Sequence, residues 1–376
     1  MKKTLFLMLM LLIGYCSFAQ EGSTLQKNII SQRSDNPMKS KLDSTIDKLI
    51  LNYMKEGKRV GISLGINYNG KQFIYNYGET SPGSGILPSD KSVYEIGSIT
   101  KTFTGLLVAH AINEGRVSLN DDIRKFLPGS FPNLQYPNGD PVKIAYLLAH
   151  TAQFPNSFGD PLSPSVGNET FIDSLHKIKL DSLKSFRYKY SNVGYQLLGL
   201  ILERVYKKSY IDLISQYVTK PLGMLQTKLD YPANEESSLL KGYGTNREPV
   251  RSIPEILPAA GGLHSSVRDM LKYLDYQIQE KTAEVRLTHR VIFGDVDKEA
   301  YGFQWAIGKN WGWDQYLRID GGTQGYRTFC VMYPLHNVSI VLFSNQKDDS
   351  AGAGLYKVAT GIYGALKLAM NAKSAF

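Results

Sequence analysis

The arrangement of strand-like segments constrains this chain most. Apolar residues that alternate with polar ones mark a half-buried strand, and they fall near both ends. Ile62, Leu64 and Ile66 alternate, Asn69-Gly70 offers a tight turn, and Phe73 and Tyr75 alternate on the return, so residues 60–77 read as a hairpin. In the last third, Trp305 and Ile307 suggest one strand and residues 328–333 and 338–344 two more, the last pair joined across residues 334–337. The middle, about 116–254, reads as helical and loop-rich, punctuated by Pro128, Pro132, Pro137, Pro141, Pro155, Pro161 and Pro164. One arrangement satisfies that order. It is an α+β fold with an antiparallel sheet drawn from both termini (about 41–115 and 255–376), flanked by helices and carrying an inserted, mainly helical subdomain (about 116–254).

Three helices frame the scheme. Leu42, Ile46, Leu49, Ile50 and Tyr53 share one helical face, and Gly57 ends it. A long helix begins near Ser98. A last one starts near Asp348-Asp349, acids that suit a helix N-terminus, and carries Leu355, Val358, Ile362 and Leu366.

The first 19 residues read as a signal peptide. Lys2 and Lys3 precede an apolar run over residues 5–13, too short to span a bilayer, and Ser17-Phe18-Ala19 suits cleavage after Ala19. Residues 20–40 read as a polar leader, and 41–376 as the catalytic domain. Tyr15 before Cys16 disfavours a lipoprotein anchor. Cys330 is then the only cysteine, so no intramolecular disulfide is expected. With no further apolar stretch of spanning length, the expected product is periplasmic or secreted, without stable membrane insertion. Six histidines without metal-ligand spacing and two cysteines give no metal site, and no cofactor is expected. The net charge of +9 is dispersed, with no basic run, so no nucleic-acid partner is expected. The oligomeric state cannot be read from the sequence.

Three short motifs carry chemistry. Ser98-Ile99-Thr100-Lys101 places a hydroxyl and an amine one helical turn apart. A serine needs a base to become nucleophilic, and a lysine serves only when burial favours its neutral form. A helix N-terminus adds backbone N–H groups near a reacting carbonyl. Tyr190-Ser191-Asn192 offers a proton relay and an amide donor, although an Asn capping a helix explains it equally well. Asp320-Gly321-Gly322-Thr323-Gln324-Gly325 precedes a strand, and glycines there let backbone approach a ligand. Each motif alone is weak. S-x-x-K also reads as a cap and a surface lysine, and the glycines as a plain turn.

Together, in this order, they resemble the serine β-lactamase/penicillin-binding family. Within it the chain is most similar to the class C β-lactamase-like branch, which also holds D-alanyl-D-alanine carboxypeptidases, D-aminopeptidases and esterases. The resemblance covers about residues 42–345. It includes Leu147-Leu148-Ala149-His150-Thr151, Lys220-Pro221-Leu222-Gly223-Met224, Pro258-Ala259-Ala260-Gly261-Gly262 and Tyr301-Gly302-Phe303-Gln304-Trp305. It implies the β-lactamase/DD-peptidase fold. It implies Ser98 as acylated nucleophile, Lys101 as its general base and Tyr190 as proton relay. It implies Asn192 as holder of the substrate amide, the N–H groups of Ser98 and Gly322 as oxyanion hole, and Gly321, Gly322 and Thr323 as substrate-binding.

Two departures stand out. Aligning on the glycines puts Ile319 where the family carries a Lys or His, and Asp320 next to it. Ile319 cannot hold a substrate carboxylate. Arg318 and Arg327 are the nearest cations by sequence, but on a strand Arg318 would face away. His150-Thr151 is followed by Ala152-Gln153 where the family has Ser-Gly. The expected function is an exported serine hydrolase cleaving an amide or ester of a small-molecule or peptide acyl substrate, peptidase or esterase rather than efficient β-lactamase. The alternatives are a weakly or non-catalytic penicillin-binding or sensor module, or an acyltransferase using the same acyl-enzyme. His150 reads as a loop holder, Trp305 and Cys330 as core, and Trp311 and Trp313 as possible walls of a cleft.

Overall fold

The computed structural model describes residues 33–56, 59–158, 168–181, 187–231, 238–250, 257–310, 312 and 314–374. The signal-peptide reading, Cys16, Gly57, Trp311 and Trp313 lie outside them.

Helix α1 (Lys41–Glu56) buries Ile46, Ile50 and Tyr53, the face its period predicts. At its start the Ser40 hydroxyl accepts from the Asp43 N–H at 3.0 Å, a donor that helix geometry leaves unpaired, and the Asp43 carboxylate accepts in return from the N–H groups of Lys39 and Ser40 at 2.9 and 2.8 Å. Strands β1 (Gly61–Tyr68) and β2 (Lys71–Gly78) form the hairpin, turned on Asn69 and Gly70, whose φ angles are 49° and 71°. Strand β3 (Val93–Glu95) leads through a single 3₁₀ turn, Gly97–Ile99, into α2 (Thr100–Asn113).

The middle holds α3 (Ile144–Leu148), α4 (Asn168–Leu175), α5 (Asn192–Tyr206) and α6 (Tyr210–Ile214), with a minimal pair β4 (Gly242–Tyr243) and β5 (Pro249–Val250). Helix α7 (Pro258–Gly261), strand β6 (His264–Ser266), α8 (Val267–Ile278) and α9 (Ala283–Thr288) follow. The chain then lays down β7 (Phe293–Asp295), β8 (Glu299–Tyr301), β9 (Ala306–Lys309), β10 (Gln315–Gly322), β11 (Arg327–Tyr333) and β12 (Val338–Ser344), and ends in α10 (Ala351–Ser374).

The main sheet is antiparallel, in the order β2-β1-β12-β11-β10-β9-β8-β7. The N-terminal hairpin therefore joins the C-terminal strands through β1 against β12, with Ile62 opposite Ser344 and Ile66 opposite Ile340. This is the sheet from both termini, and the α+β reading holds.

Period-two alternation sorts the core into two layers. Ile62, Leu64, Ile66, Phe329, Val331 and Ile340 pack under α1 and α10, with Ile50, Leu355, Val358 and Ile362. Cys330, Met332, Val341 and Phe343 face the other way, into a larger core that includes Phe103, Leu106, Leu197, Leu271 and Trp305. Gly65 makes that second face possible at β1, since a Cβ there would lie 2.5 Å from Val267 of α8. Trp305 and Cys330 are fully buried, as their sequence surroundings indicate.

The sheet is wider than the sequence suggests. Strands β7 and β8 have three residues each, too few to display an alternation. Strand β10 was hidden because its last residues are the glycine motif. Asp320, Gly321 and Gly322 belong to the strand, and the turn falls at residues 323–326.

Candidate active site

The site lies where the end of β10 meets the 3₁₀ turn before α2. Glycines allow that meeting. A Cβ on Gly97, whose φ is +52°, would lie 2.7 Å from the nitrogen and 2.8 Å from the oxygen of Gly322; one on Gly321 would lie 2.1 Å from the carbonyl oxygen of Ile96. Thr328 of β11 donates to that same carbonyl at 2.9 Å. The turn carrying Ser98 is thus pressed against the strand bearing the third motif.

Three side chains converge there. Ser98 Oγ hydrogen-bonds the Tyr190 hydroxyl. Lys101 Nζ lies 3.1 Å from Ser98 Oγ and donates to the Ala260 carbonyl at 2.6 Å. Lys101 is fully buried, with Nζ 4.8 Å from the centre of the Tyr190 ring and 5.9 Å from that of Tyr195. A hydroxyl held between an amine and a phenol can pass its proton to the unprotonated amine, directly or through the phenol, which is what acyl transfer to oxygen requires. Asn192, Gly321, Gly322 and Thr323 line the same cleft, of about 720 Å³.

Asn192 does not cap its helix. Ser191 does, in extended conformation (φ −145°, ψ 116°), its Oγ accepting from the Gly194 N–H at 3.0 Å and donating to the Pro155 carbonyl at 2.7 Å. Asn192 is the first helical residue, so its amide is left to face the cleft.

Residues around His150 brace the site. The Ser191 N–H donates to His150 Nδ1 at 3.1 Å, and Nε2 lies 2.7 Å from Gln304 Oε1. Burial, then the Lys101 charge, holds His150 down to about 3, despite the Gln304 bond acting the other way. The ring is neutral at any ordinary pH, and the loop-holder reading stands. The Ala152-Gln153 departure leaves the loop intact. Gln153 adopts a φ of +63°, a conformation glycine usually supplies. It is held there by the Asp181 N–H on its Oε1 at 2.8 Å and by Lys189 Nζ on its carbonyl at 3.0 Å.

The two nearby arginines both line the cleft, and both are already engaged by protein groups. The Arg318 guanidinium pairs with Glu299 and lies 5.8 Å from the centre of the Tyr356 ring of α10. Arg327 Nη1 donates to the carbonyls of Thr323 and Tyr326 at 3.1 and 3.0 Å, which ties it to the β10–β11 turn. Ile319 itself is 5% exposed and lines the cleft.

Sequence reasoning did not single out Ala260 or Gln304. Both lie in stretches that resemble the family, but neither type announces a role: one acts through its carbonyl, the other through a contact 154 positions distant. The aromatic wall made by stacked Tyr188 and Tyr301, centres 4.2 Å apart, also joins segments far apart in the chain.

Among the described residues no group of His, Cys, Asp or Glu could hold a metal ion, and no helix is long and apolar enough to cross a membrane.

A buried amine and a phenol meeting on one serine, at the end of an interior strand of an antiparallel sheet, define a serine hydrolase of the β-lactamase/DD-peptidase kind. Comparison with known proteins agrees. The chain belongs to the Beta-lactamase family, whose profile matches residues 46–360. It is 27% identical over 337 residues to a "Beta-lactamase" of Providencia stuartii, covering 80% of this chain and 86% of that protein. It is 30% identical over 316 residues to "Protein flp" of Staphylococcus aureus (strain N315), covering 80% of this chain but 62% of the relative's length. A solved "Beta-Lactamase/D-Alanine Carboxypeptidase" from Pseudomonas syringae superposes with a TM-score of 0.75 at 23% identity, over 86% of this chain and 99% of that one, a likeness of fold.

Proposed function

We propose that the protein is an exported serine hydrolase that cleaves an amide or ester through an acyl-enzyme on Ser98. The observation that carries this is the contact of one hydroxyl, Ser98 Oγ, with both Lys101 Nζ and the Tyr190 hydroxyl.

In the reaction, Ser98 Oγ bonds to the substrate carbonyl carbon while its proton passes to the unprotonated Lys101, with Tyr190 as relay. The carbonyl oxygen, now negative, sits between the N–H groups of Ser98 and Gly322, and Asn192 holds the substrate amide. Such donors each contribute about 3 kcal/mol of transition-state stabilisation. The carbon–leaving-group bond breaks as Tyr190 hands the proton to the departing amine or alcohol. Water then adds to the acyl carbon, gives its proton to the same pair, and releases the acid and Ser98. An amine or alcohol in place of water would make the same site an acyltransferase.

Ile319 favours a peptidase or esterase over an efficient β-lactamase, since the two arginines that line the cleft are already engaged by Glu299 and by the Thr323 and Tyr326 carbonyls. The same residue motivates the second reading, a sensor that is acylated and turns over poorly. Export rests on residues 1–19 alone. The division into a sheet subdomain (41–115 and 255–376) and a helical one (116–254) belongs to this reading too.

The test is intact mass after treatment with a fluorophosphonate and, separately, with a penicillin, on the mature protein and Ser98→Ala. A fluorophosphonate adduct on the wild type alone is expected. A penicillin adduct without drug turnover would favour the sensor. No adduct with either would overturn the reading of Ser98.

A further inference from the structure

We propose that His150 is a positioning residue for the reaction: its bare Nδ1 fixes the Ser191 backbone and thereby holds the Tyr190 hydroxyl on Ser98. This rests on the acyl-enzyme reading above.

The geometry leaves little freedom. His150 follows α3 and Ala149 and takes a left-handed φ of +56°. It is 2% exposed. A backbone N–H can only donate, so the Ser191 N–H at 3.1 Å requires Nδ1 without a proton. The neutral ring therefore carries its proton on Nε2, where Gln304 Oε1 accepts it at 2.7 Å. Both ring nitrogens are committed, and the tautomer follows from the backbone rather than from an assumption. The His150 carbonyl accepts from the Lys189 N–H at 2.8 Å. Residue 150 thus grips the chain at 189 and at 191, on either side of Tyr190.

The ring closes the arrangement. It lies 4.5 Å from the Tyr190 ring, tilted 36°, and 5.1 Å from that of Tyr195. Tyr190 cannot swing toward the interior, because His150 occupies it. Gln304 is held in turn: it is 4% exposed, has a φ of +76°, and sits on the connection between β8 and β9. The imidazole is therefore a strut from the sheet to the Tyr190 segment. A displacement of about 1 Å at a reacting group can cost on the order of 10²-fold in rate, which is the scale on which such a strut matters.

Two substitutions separate its halves. In His150→Asn the amide oxygen can stand at the position of Nδ1 and accept from Ser191. In His150→Gln the amide nitrogen reaches the position of Nε2 and donates to Gln304, while Ser191 loses its acceptor. With a neutral nitrophenyl ester and fluorophosphonate labelling of Ser98, His150→Gln should lose about 10- to 100-fold in kcat and in labelling rate with KM changed less than about 3-fold. His150→Asn should retain kcat within about 5-fold. Equal loss in both, or loss in neither, would overturn the proposal.

A measurement on the unaltered protein covers the case in which the variants do not fold. In ¹⁵N-histidine-labelled protein, ring-nitrogen shifts should show His150 in the Nε2–H form, and an Nδ1–H signal would overturn the proposal. If the wild type neither labels nor turns over while Ser98→Ala behaves identically, it is the acyl-enzyme reading that fails, not the placement of His150.

Discussion

At the scale of residues, the site depends on three atoms and one substitution. Lys101→Met keeps volume in a fully buried position but removes the proton acceptor; Tyr190→Phe removes the relay and keeps the ring. Each should lower kcat/KM by roughly 10²- to 10⁴-fold, the range for a positioned acid or base, in an ester assay run on protein of unchanged circular dichroism. A loss under threefold in either variant would remove that residue from the mechanism. Ile319 makes the opposite kind of prediction. Ile319→Lys returns a cation to the cleft face of β10, so the ratio of kcat/KM for a carboxylate-bearing over a neutral substrate should rise about tenfold, or 1.4 kcal/mol. An unchanged ratio would mean that the slot does not set selectivity.

At the scale of elements, function depends on two backbones touching. Gly97→Ala places a methyl 2.7 Å from the Gly322 nitrogen, with only main chain to yield. The turn and the strand must separate, spoiling the paired N–H donors, and kcat should fall 10²- to 10³-fold, as for loss of an oxyanion donor. Retained kcat would show that those N–H groups are not used. The elements that carry the motifs were legible in unequal degree. The β1–β2 hairpin has strands of eight residues, long enough to show an alternation, whereas the helix after Ser98 is buried nearly all round and β11 and β12 are apolar on both faces, so these were legible by length and composition rather than by period. Ser98, Lys101, Tyr190 and Asn192 were singled out through the family resemblance of their motifs, each weak alone, and the fold brings all four to one cleft. What stayed hidden was short or distant. Strands of three residues show no alternation. Asp320, Gly321 and Gly322 read as a turn, although they end a strand, because glycine carries no side chain to reveal a face. Ala260 contributes a carbonyl, which every residue has.

At the scale of the whole molecule, buried histidines set an acid limit. His110, His150 and His264 are all pushed down by burial. A group whose folded value is lowered costs nothing while both states are neutral, and weakens the fold once the unfolded chain begins to take the proton. For His150, faced by Lys101, Tyr188, Tyr190, Tyr195 and Gln304, stability should fall from about pH 6.5 down to about 3, by roughly 4–5 kcal/mol in full. Asp314 adds a lower limb. Its burial acts to raise it, but bonds from Lys367, Tyr363, Asn310 and His336 prevail and hold it at about 2. Its contribution is present above about pH 4 and lost as the pH falls through 2. Urea midpoints at pH 7, 5.5 and 4 should therefore decline, and less steeply in His150→Asn; a flat profile would contradict the burial of these rings. The pairing of β1 with β12 has a consequence of another kind. Ile62 finds Ser344 only when nearly the whole chain is available. The hairpin made early in synthesis has no sheet to join until β12 is complete, and closing so long a loop is slow. A ribosome-bound chain halted before residue 338 would lack β12 and α10 against Ile62, Leu64 and Ile66, and this hairpin should stay sensitive to protease. If the chain is exported as proposed, it would likewise stay threadable through a translocation pore for most of its length, and would reach a protected state only once α10 had followed.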